Sequence, residues 1–372
     1  MRLSDRELQN KMFVLDSHCD TPSQILRLRD LSIDNRYAHV DFPKLKKGGV
    51  DGAFFALYIP ASYDSDPDAA FEYARRLYEG VERTIASNHR IAAFATSVSE
   101  ALKNKSESRF SVFLGLENGS PIGYSLDRLK WFYDKGIRYI TLCHSRNNQI
   151  CDSCAPDVKT WGGLSPFGKE LVAEMNRIGM LIDVSHISDD SFYDVLECST
   201  KPVVATHSCC RALAGHPRNM TDDMIIALAA KGGVIQINFY PLFIDSSFGS
   251  RLDASDVMER GEAIESEFIA DPADPEKRRA WNAVQDELNA LERPTFKQIV
   301  DHIDHVVGLV GIDHVGLGSD FDGIAVTPDG LEDISQMPKI FDELRGRGYS
   351  DEDITKIAGA NFFRVLNEVS LL

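Results

Sequence analysis

Six short segments carry the residue types that bind metals or move protons. They are Ser17-His18-Cys19-Asp20, Glu117-Asn118-Gly119, Cys143-His144-Ser145, Ser185-His186, His207-Ser208 and Ser319-Asp320-Phe321-Asp322-Gly323. Imidazole and carboxylate together suit zinc or another first-row divalent ion, and a mixed set that leaves coordination positions open is of the catalytic type. His18 and Asp20, two apart on an extended strand, point to the same side and can grip one ion. His186 and His207 supply ligands for a second ion, and Glu117 has two oxygens with which to bridge the pair. Two ions a few ångströms apart can share one water, lower its pKa toward neutrality and hold it for attack on a carbonyl. Taken singly, each residue has a plainer reading. A lone His at a strand end is more often a hydrogen-bonded structural residue, Glu117 would suit a helix N-terminus, and Asp320 and Asp322 would suit a turn.

What sets these residues apart is where they fall. Short apolar runs occur at residues 13–16, 52–58, 110–116, 139–142, 180–184, 202–206, 234–239 and 314–317. Between them lie segments with helical periodicity, among them 68–86, 126–135, 166–178, 188–196, 222–230 and 295–310. Continuous rather than alternating apolar runs, separated by helices, imply a parallel sheet with helices over it. Eight such units fit a (β/α)8 TIM-type barrel, and all six segments then meet at the carboxyl-end rim where that fold builds active sites. A doubly wound open sheet is the alternative, but no G-x-G-x-x-G follows an early strand. The chain reads as one barrel domain over residues 1–372. Residues 241–294, acidic and helix-favouring from 253 to 291, read as a helical insertion between the seventh and eighth strands.

Composition narrows the partners. A content of 43% hydrophobic and 26% charged residues fits a globular chain with a sizeable core, and a net charge of −17 opposes binding to nucleic acid. No run approaches the ~18 apolar residues that cross a bilayer. The polar start, residues 1–11, lacks an apolar signal core, which points to the cytoplasm, although a trimmed secreted or periplasmic chain would read the same way. Seven scattered cysteines make no disulfide framework; Cys151-x-x-Cys154 reads as a loop with two thiols, and Cys209 and Cys210 as packing residues. His302 and His305, three apart, read as residues of a surface helix.

The segments 15–22, 115–119, 141–147, 163–168, 181–186, 206–208, 218–219 and 318–323, in this order, closely resemble those of the renal-type (membrane) dipeptidases, binuclear zinc metallopeptidases of the amidohydrolase superfamily. The likeness runs from about Phe13 to Val365. It implies a zinc-dependent dipeptidase with two Zn2+ per chain, bridged by Glu117 and a water or hydroxide that attacks the amide of free dipeptides, including those with a D-residue at the C-terminal position. One zinc would be held by His18, Asp20 and Glu117, the other by Glu117, His186 and His207. His144 would polarise the scissile carbonyl, Arg218 would hold the substrate carboxylate, Asp320 would sit near the water and the free amine, and Tyr240 would line the pocket. A site with a cation at one end and an anion at the other measures the length of a zwitterion. Homodimers occur among such proteins, so a homodimer is admitted. The sequence departs from the family at Asn118-Gly119, where a glycine pair is usual, and in residues 149–154, where relatives often carry a tryptophan. Deacylase-type amidohydrolases commonly start with H-x-H and bridge through a lysine on the fourth strand. Here those places hold His18-Cys19-Asp20 and His144. A barrel that binds without turnover is the remaining alternative.

Overall fold

The computed structural model describes residues 12–370; the polar start at 1–11 lies outside them. The strands are β1 (Leu15–Cys19), β2 (Gly52–Tyr58), β3 (Ala92–Phe94), β4 (Phe110–Glu117), β5 (Ile137–Thr141), β6 (Leu181–Asp183), β7 (Val204–Ser208), β8 (Val234–Ile237) and β9 (Val315–Leu317). All pair in parallel, in the order β1-β2-β4-β5-β6-β7-β8-β9. Just beyond β9 the ring closes on β1, where the Asp20 amide donates to the Phe321 carbonyl (2.8 Å) and the Asp320 amide to the His18 carbonyl (3.0 Å). The result is a nearly closed (β/α)8 barrel. The open-sheet alternative has no such closing contact. β3 was not expected: it pairs with Phe110–Val112 of β4, on the edge that β5 takes over at Leu114.

The continuous apolar runs are explained by burial on both faces. One alternate set, with Leu15, Phe54, Phe113, Tyr139, Leu181, Val204 and Val234, fills the barrel together with Phe362 and Phe363 of the C-terminal helix Asn361–Val369, which plugs its lower end. Phe54 stacks on Phe113 at 4.7 Å and meets Phe362 at 5.2 Å. Each such ring, fully buried, stabilises the fold by about 1.5–3 kcal/mol. The other set, with Leu114, Ile140, Ile182 and Ala205, packs beneath the outer helices. Those helices start where capping residues stand: Ser165, Ser188 and Thr221 accept from Gly168, Ser191 and Met224.

Residues 241–291 contain the helices Pro241–Ile244, Phe248–Asp253, Val257–Ala270 and Pro275–Asn289. They gather a small core of their own around Phe248, Phe268, Trp281, Val284 and Leu288. Arg27, in the loop beyond β1, pairs with Glu265 at 2.8 Å and ties this segment to the barrel. No helix among the described residues is long and apolar enough to cross a membrane. His302 departs from its sequence reading: it is buried, accepting from the Cys210 amide and sharing a hydrogen bond with the Ile244 carbonyl, while His305 pairs with Asp222. The seven cysteines are free thiols, and Cys209 and Cys210 are packed in the core.

Candidate metal centre

The inward residues of each strand change from apolar to polar on going up the barrel. β4 turns Phe113 inward, then Gly115, then Glu117; β5 turns Tyr139 and Thr141 inward; β6, Leu181 and Asp183; β7, Val204 and Thr206. Gly115 is required there, because a Cβ would lie 2.2 Å from the Tyr139 ring. That space lets Tyr139 reach upward, where its hydroxyl shares a 2.8 Å hydrogen bond with His18 Nδ1. Both His18 and His207 sit within their strands, β1 and β7, rather than after them.

Five predicted ligands converge at this level. Glu117 Oε2 lies 3.3 Å from His18 Nε2, while Glu117 Oε1 lies 3.1 Å from His186 Nε2 and 3.4 Å from His207 Nε2. Asp20 Oδ2 is 3.6 Å from His18 Nε2, and the Nε2 atoms of His186 and His207 are 2.9 Å apart. Donor atoms lie within 4.8 Å of one another in three overlapping groups: His18, Glu117 and His207; Glu117, His144 and His186; and His18, Asp20 and Asp320. His18 Nε2 and Asp20 Oδ1 are buried without a hydrogen-bond partner. Orphaned donor atoms aimed at one point, from imidazoles and carboxylates, fit a divalent metal.

The charges there are strongly perturbed. Burial works to lower the pKa of His18, but the Glu117 and Asp20 carboxylates hold it well above the usual histidine range. Burial, then the charge of Glu117, pushes Asp20 up to about 6. Asp320 is pushed up to about 7, again first by burial. Burial, aided by nearby cations, lowers His144 to about 3 and sets His186 and His207 well below the ordinary value. Three neutral imidazoles are therefore available as ligands or neutral donors.

The other predicted residues surround the group. His144 is held between Tyr58 (ring centroids 4.8 Å apart) and His186 (4.3 Å), with Nε2 4.0 Å from Glu117 Oε1. Asp320 Oδ2 accepts from Asn238 at 2.8 Å. Arg218 is buried; its Nη1 donates to Ser208 Oγ (2.8 Å) and its Nη2 to the His207 carbonyl (2.7 Å), leaving Nε unpartnered. Tyr240 stands next to Phe243 and feels the charge of Asp320. Asp322 lies in a turn, but its carboxylate bonds distant residues rather than its own backbone. It accepts from Thr21 Oγ1 and the His39 amide, pinning the loop beyond β1.

Sequence reading missed a layer beneath the centre. Asp183 Oδ2 accepts from the hydroxyls of Thr141 and Thr206, each at 2.6 Å, and its Oδ1 accepts from the amides of Ser185 (3.0 Å) and Thr206 (2.9 Å). Thr206 Oγ1 in turn sits 2.8 Å from His207 Nδ1. Asp16 serves Ser319 and the His18 amide in the same way. An aspartate within or closing an apolar run of the sequence is the signal for both. Four of the six non-glycine residues with left-handed φ among the described residues, Asn118, His186, Asp320 and Asp322, form or adjoin the site. Such backbone costs about 1–3 kcal/mol per residue and clusters where function demands it.

Comparison with known proteins gives the family. The family model "Membrane dipeptidase (Peptidase family M19)" matches residues 3–372. The chain is 32% identical over 353 residues to dipeptidase aclJ of Aspergillus oryzae, covering 93% of this chain and 74% of that one. It is 33% identical over 371 residues to dipeptidase verJ of Clonostachys rogersoniana, with 96% and 84% covered. Among solved structures, the probable dipeptidase PvdM from Pseudomonas aeruginosa superposes with a TM-score of 0.82 at 27% identity, covering 98% of this chain and 97% of that one. A Rhodobacter sphaeroides metallopeptidase crystallised with a phosphinate mimic of L-Ala-D-Ala shares the fold, with a TM-score of 0.77, 24% identity, and 96% and 99% covered.

Proposed function

The chain belongs to the membrane dipeptidase family, peptidase family M19, and from that premise we propose that it is a zinc-dependent dipeptidase acting on free dipeptides, with His18, Asp20, Glu117, His186 and His207 holding two zinc ions. The observation that carries this reading is the division of Glu117: one oxygen faces His18, the other faces His186 and His207. A bridging carboxylate needs that arrangement. Zinc bound there supplies Lewis-acid chemistry, polarising the amide carbonyl and making a water acidic enough to attack near neutral pH.

The rest falls to side chains of the chain itself. Asp320, anchored through Oδ2 by Asn238 and facing Asp20, takes the proton of the attacking water and returns it to the leaving nitrogen. His144, neutral because burial disfavours its charged form, donates to the carbonyl oxygen as negative charge builds on it. Arg218 uses one N–H of each Nη on Ser208 and the His207 carbonyl, so its Nε–H and the second hydrogen of each Nη remain for the substrate carboxylate. Tyr240 bounds the pocket beside Asp320. Residues 241–294 act as an insertion in a single barrel domain, braced against the mouth through Arg27 and Glu265.

The test is release of amino acids from L,L and L,D dipeptides by the zinc-loaded protein, with N-acetylated and C-amidated controls and metal analysis of the protein as purified. Cleavage of the free dipeptides only, with two zinc per chain, is expected. Equal cleavage of the blocked compounds would remove the zwitterion requirement.

A further inference from the structure

An open pocket of about 480 Å³ lies on the rim beside the centre, among the loops that follow β2, β4 and β5. Arg146, Asn147 and Asn148 form part of its wall, and Arg146 follows His144 by two residues, a Cα span of at most about 7 Å. Its floor is tied to the centre: Asp64 Oδ1 and Asn148 Nδ2 both bond the side chain of Asn118, the residue after Glu117. Its volume falls in the range that takes a drug-sized group, far more than the methyl of an alanine.

Two of its lining side chains are aromatic, in a wall otherwise polar or small. Tyr124 and Trp161 face the pocket while remaining 70% and 41% exposed, and large exposed aromatics grouped around a hollow mark a binding surface. Trp161 is fixed in place: its Nε1 donates to the Asn148 carbonyl at 2.8 Å. Around it, the Asp152 carboxylate accepts from the amides of Thr160, Trp161, Gly162 and Gly163, which freezes the loop. A preformed wall spares the ordering cost on binding. Arg146 stands on the same wall as Asp64, whose upward shift by burial its charge opposes, and its guanidinium offers a planar face that can stack on a ring.

We infer that this pocket is a side-chain subsite for dipeptides that carry a large aromatic group, with Tyr124, Arg146 and Trp161 as its specificity-determining residues. The inference rests on the dipeptidase reading. In that reading both ends of the substrate backbone are held on the side of β7 to β9, by Arg218 and by Asp320, so a side chain directed away from them extends toward β2 to β5, where the pocket lies.

The zinc-loaded enzyme is assayed on Ala-Ala, Ala-Trp and Trp-Ala, alongside Tyr124→Ala and Arg146→Ala. The wild type is expected to give a kcat/KM at least tenfold higher for one of the tryptophan dipeptides than for Ala-Ala. Each variant should erase that advantage, and turnover of Ala-Ala should stay within twofold. Calorimetric titration of the same dipeptides onto wild type and Tyr124→Ala reads the pocket without turnover. No preference in either assay, or an equal loss on all three substrates in both variants, overturns the subsite. Absence of all turnover with stronger tryptophan-dipeptide binding that Tyr124→Ala abolishes would keep the pocket and refute the dipeptidase reading instead.

Discussion

The most discriminating perturbation lies beneath the centre, at Asp183→Asn. In the wild type Oδ1 receives two backbone amides that cannot turn, and Oδ2 receives two hydroxyls that can. An asparagine must place its NH2 on one of these sides. Facing the amides, it would set donor against donor, so it faces the hydroxyls. Thr206 then accepts a hydrogen bond where it used to donate one, and its own proton becomes free for His207 Nδ1, 2.8 Å away. With Asp183, Thr206 oxygen accepts from His207 Nδ1–H, and the lone pair of Nε2 points at Glu117 and His186. With asparagine, the imidazole proton is driven to Nε2 and that lone pair is lost. Partners of this kind typically change metal affinity 10–100-fold, equivalent to about 1.4–2.8 kcal/mol. Zinc affinity measured by chelator competition should fall by that factor at one of two sites, with circular dichroism unchanged. Wild-type affinity in a folded Asp183→Asn protein would refute the tautomer argument.

Tyr139→Phe removes the 2.8 Å partner of His18 Nδ1, leaving only Thr206 Oγ1 at 3.5 Å; chelator competition should show about tenfold weaker zinc binding with modest loss of stability. Gly323→Ala would bring a Cβ within 2.0 Å of Asp20 Oδ2 and 2.7 Å of Asp320 Oδ1, so metal content and kcat should both collapse, while full zinc loading would show that the loop yields. Metal-free protein should melt at lower temperature as pH rises from 7.5 to 8.5. The lowered imidazoles of His144, His186 and His207 stabilise with rising pH only through the ordinary histidine range and are neutral in both states above it, whereas His18, held well above its ordinary value, still binds more protons folded than unfolded and loses stabilisation over that window. Saturating zinc should flatten the profile, and a rising melting temperature without metal would reverse the sign of the argument.

Much of this was legible because burial on both faces forces parallel strands to be continuously apolar, and the runs at 52–58, 110–116 and 234–239 mark β2, β4 and β8 to within two residues at either end. The helices at 166–178 and 222–230 were equally plain, since capping residues and periodicity agree there. β3 escaped because three residues, Ala92–Phe94, carry no periodicity of their own and exist only as an edge for β4. The strand carrying His18 was placed two to three residues early, because polar Ser17 and His18 break an apolar run although they remain inside β1. Spacing could bring His18, Glu117, His186 and His207 to one rim. It could not show that Arg218 spends two of its nitrogens on the backbone and side chain of β7, which depends on a fold of the 209–217 loop that no local pattern announces.

The same division between apolar and polar layers explains how so many ionisable groups coexist. Phe54, Phe113 and Phe362 seal the barrel below the centre. Sealing raises the cost of every charge above it, which is why Asp16, Asp20 and Asp320 all titrate upward and three imidazoles titrate downward. The structure offsets that cost with fixed partners rather than with solvent: Ser319 for Asp16, Asn238 for Asp320, and Thr141 and Thr206 for Asp183. Each partner also fixes an orientation, and left-handed backbone at His186 and Asp320 aims their side chains where regular strand geometry would not. Replacing any of these hydroxyls or amides by an isosteric apolar group should therefore disturb proton positions before it disturbs the fold. That order of failure separates an electrostatic frame from a merely packed one.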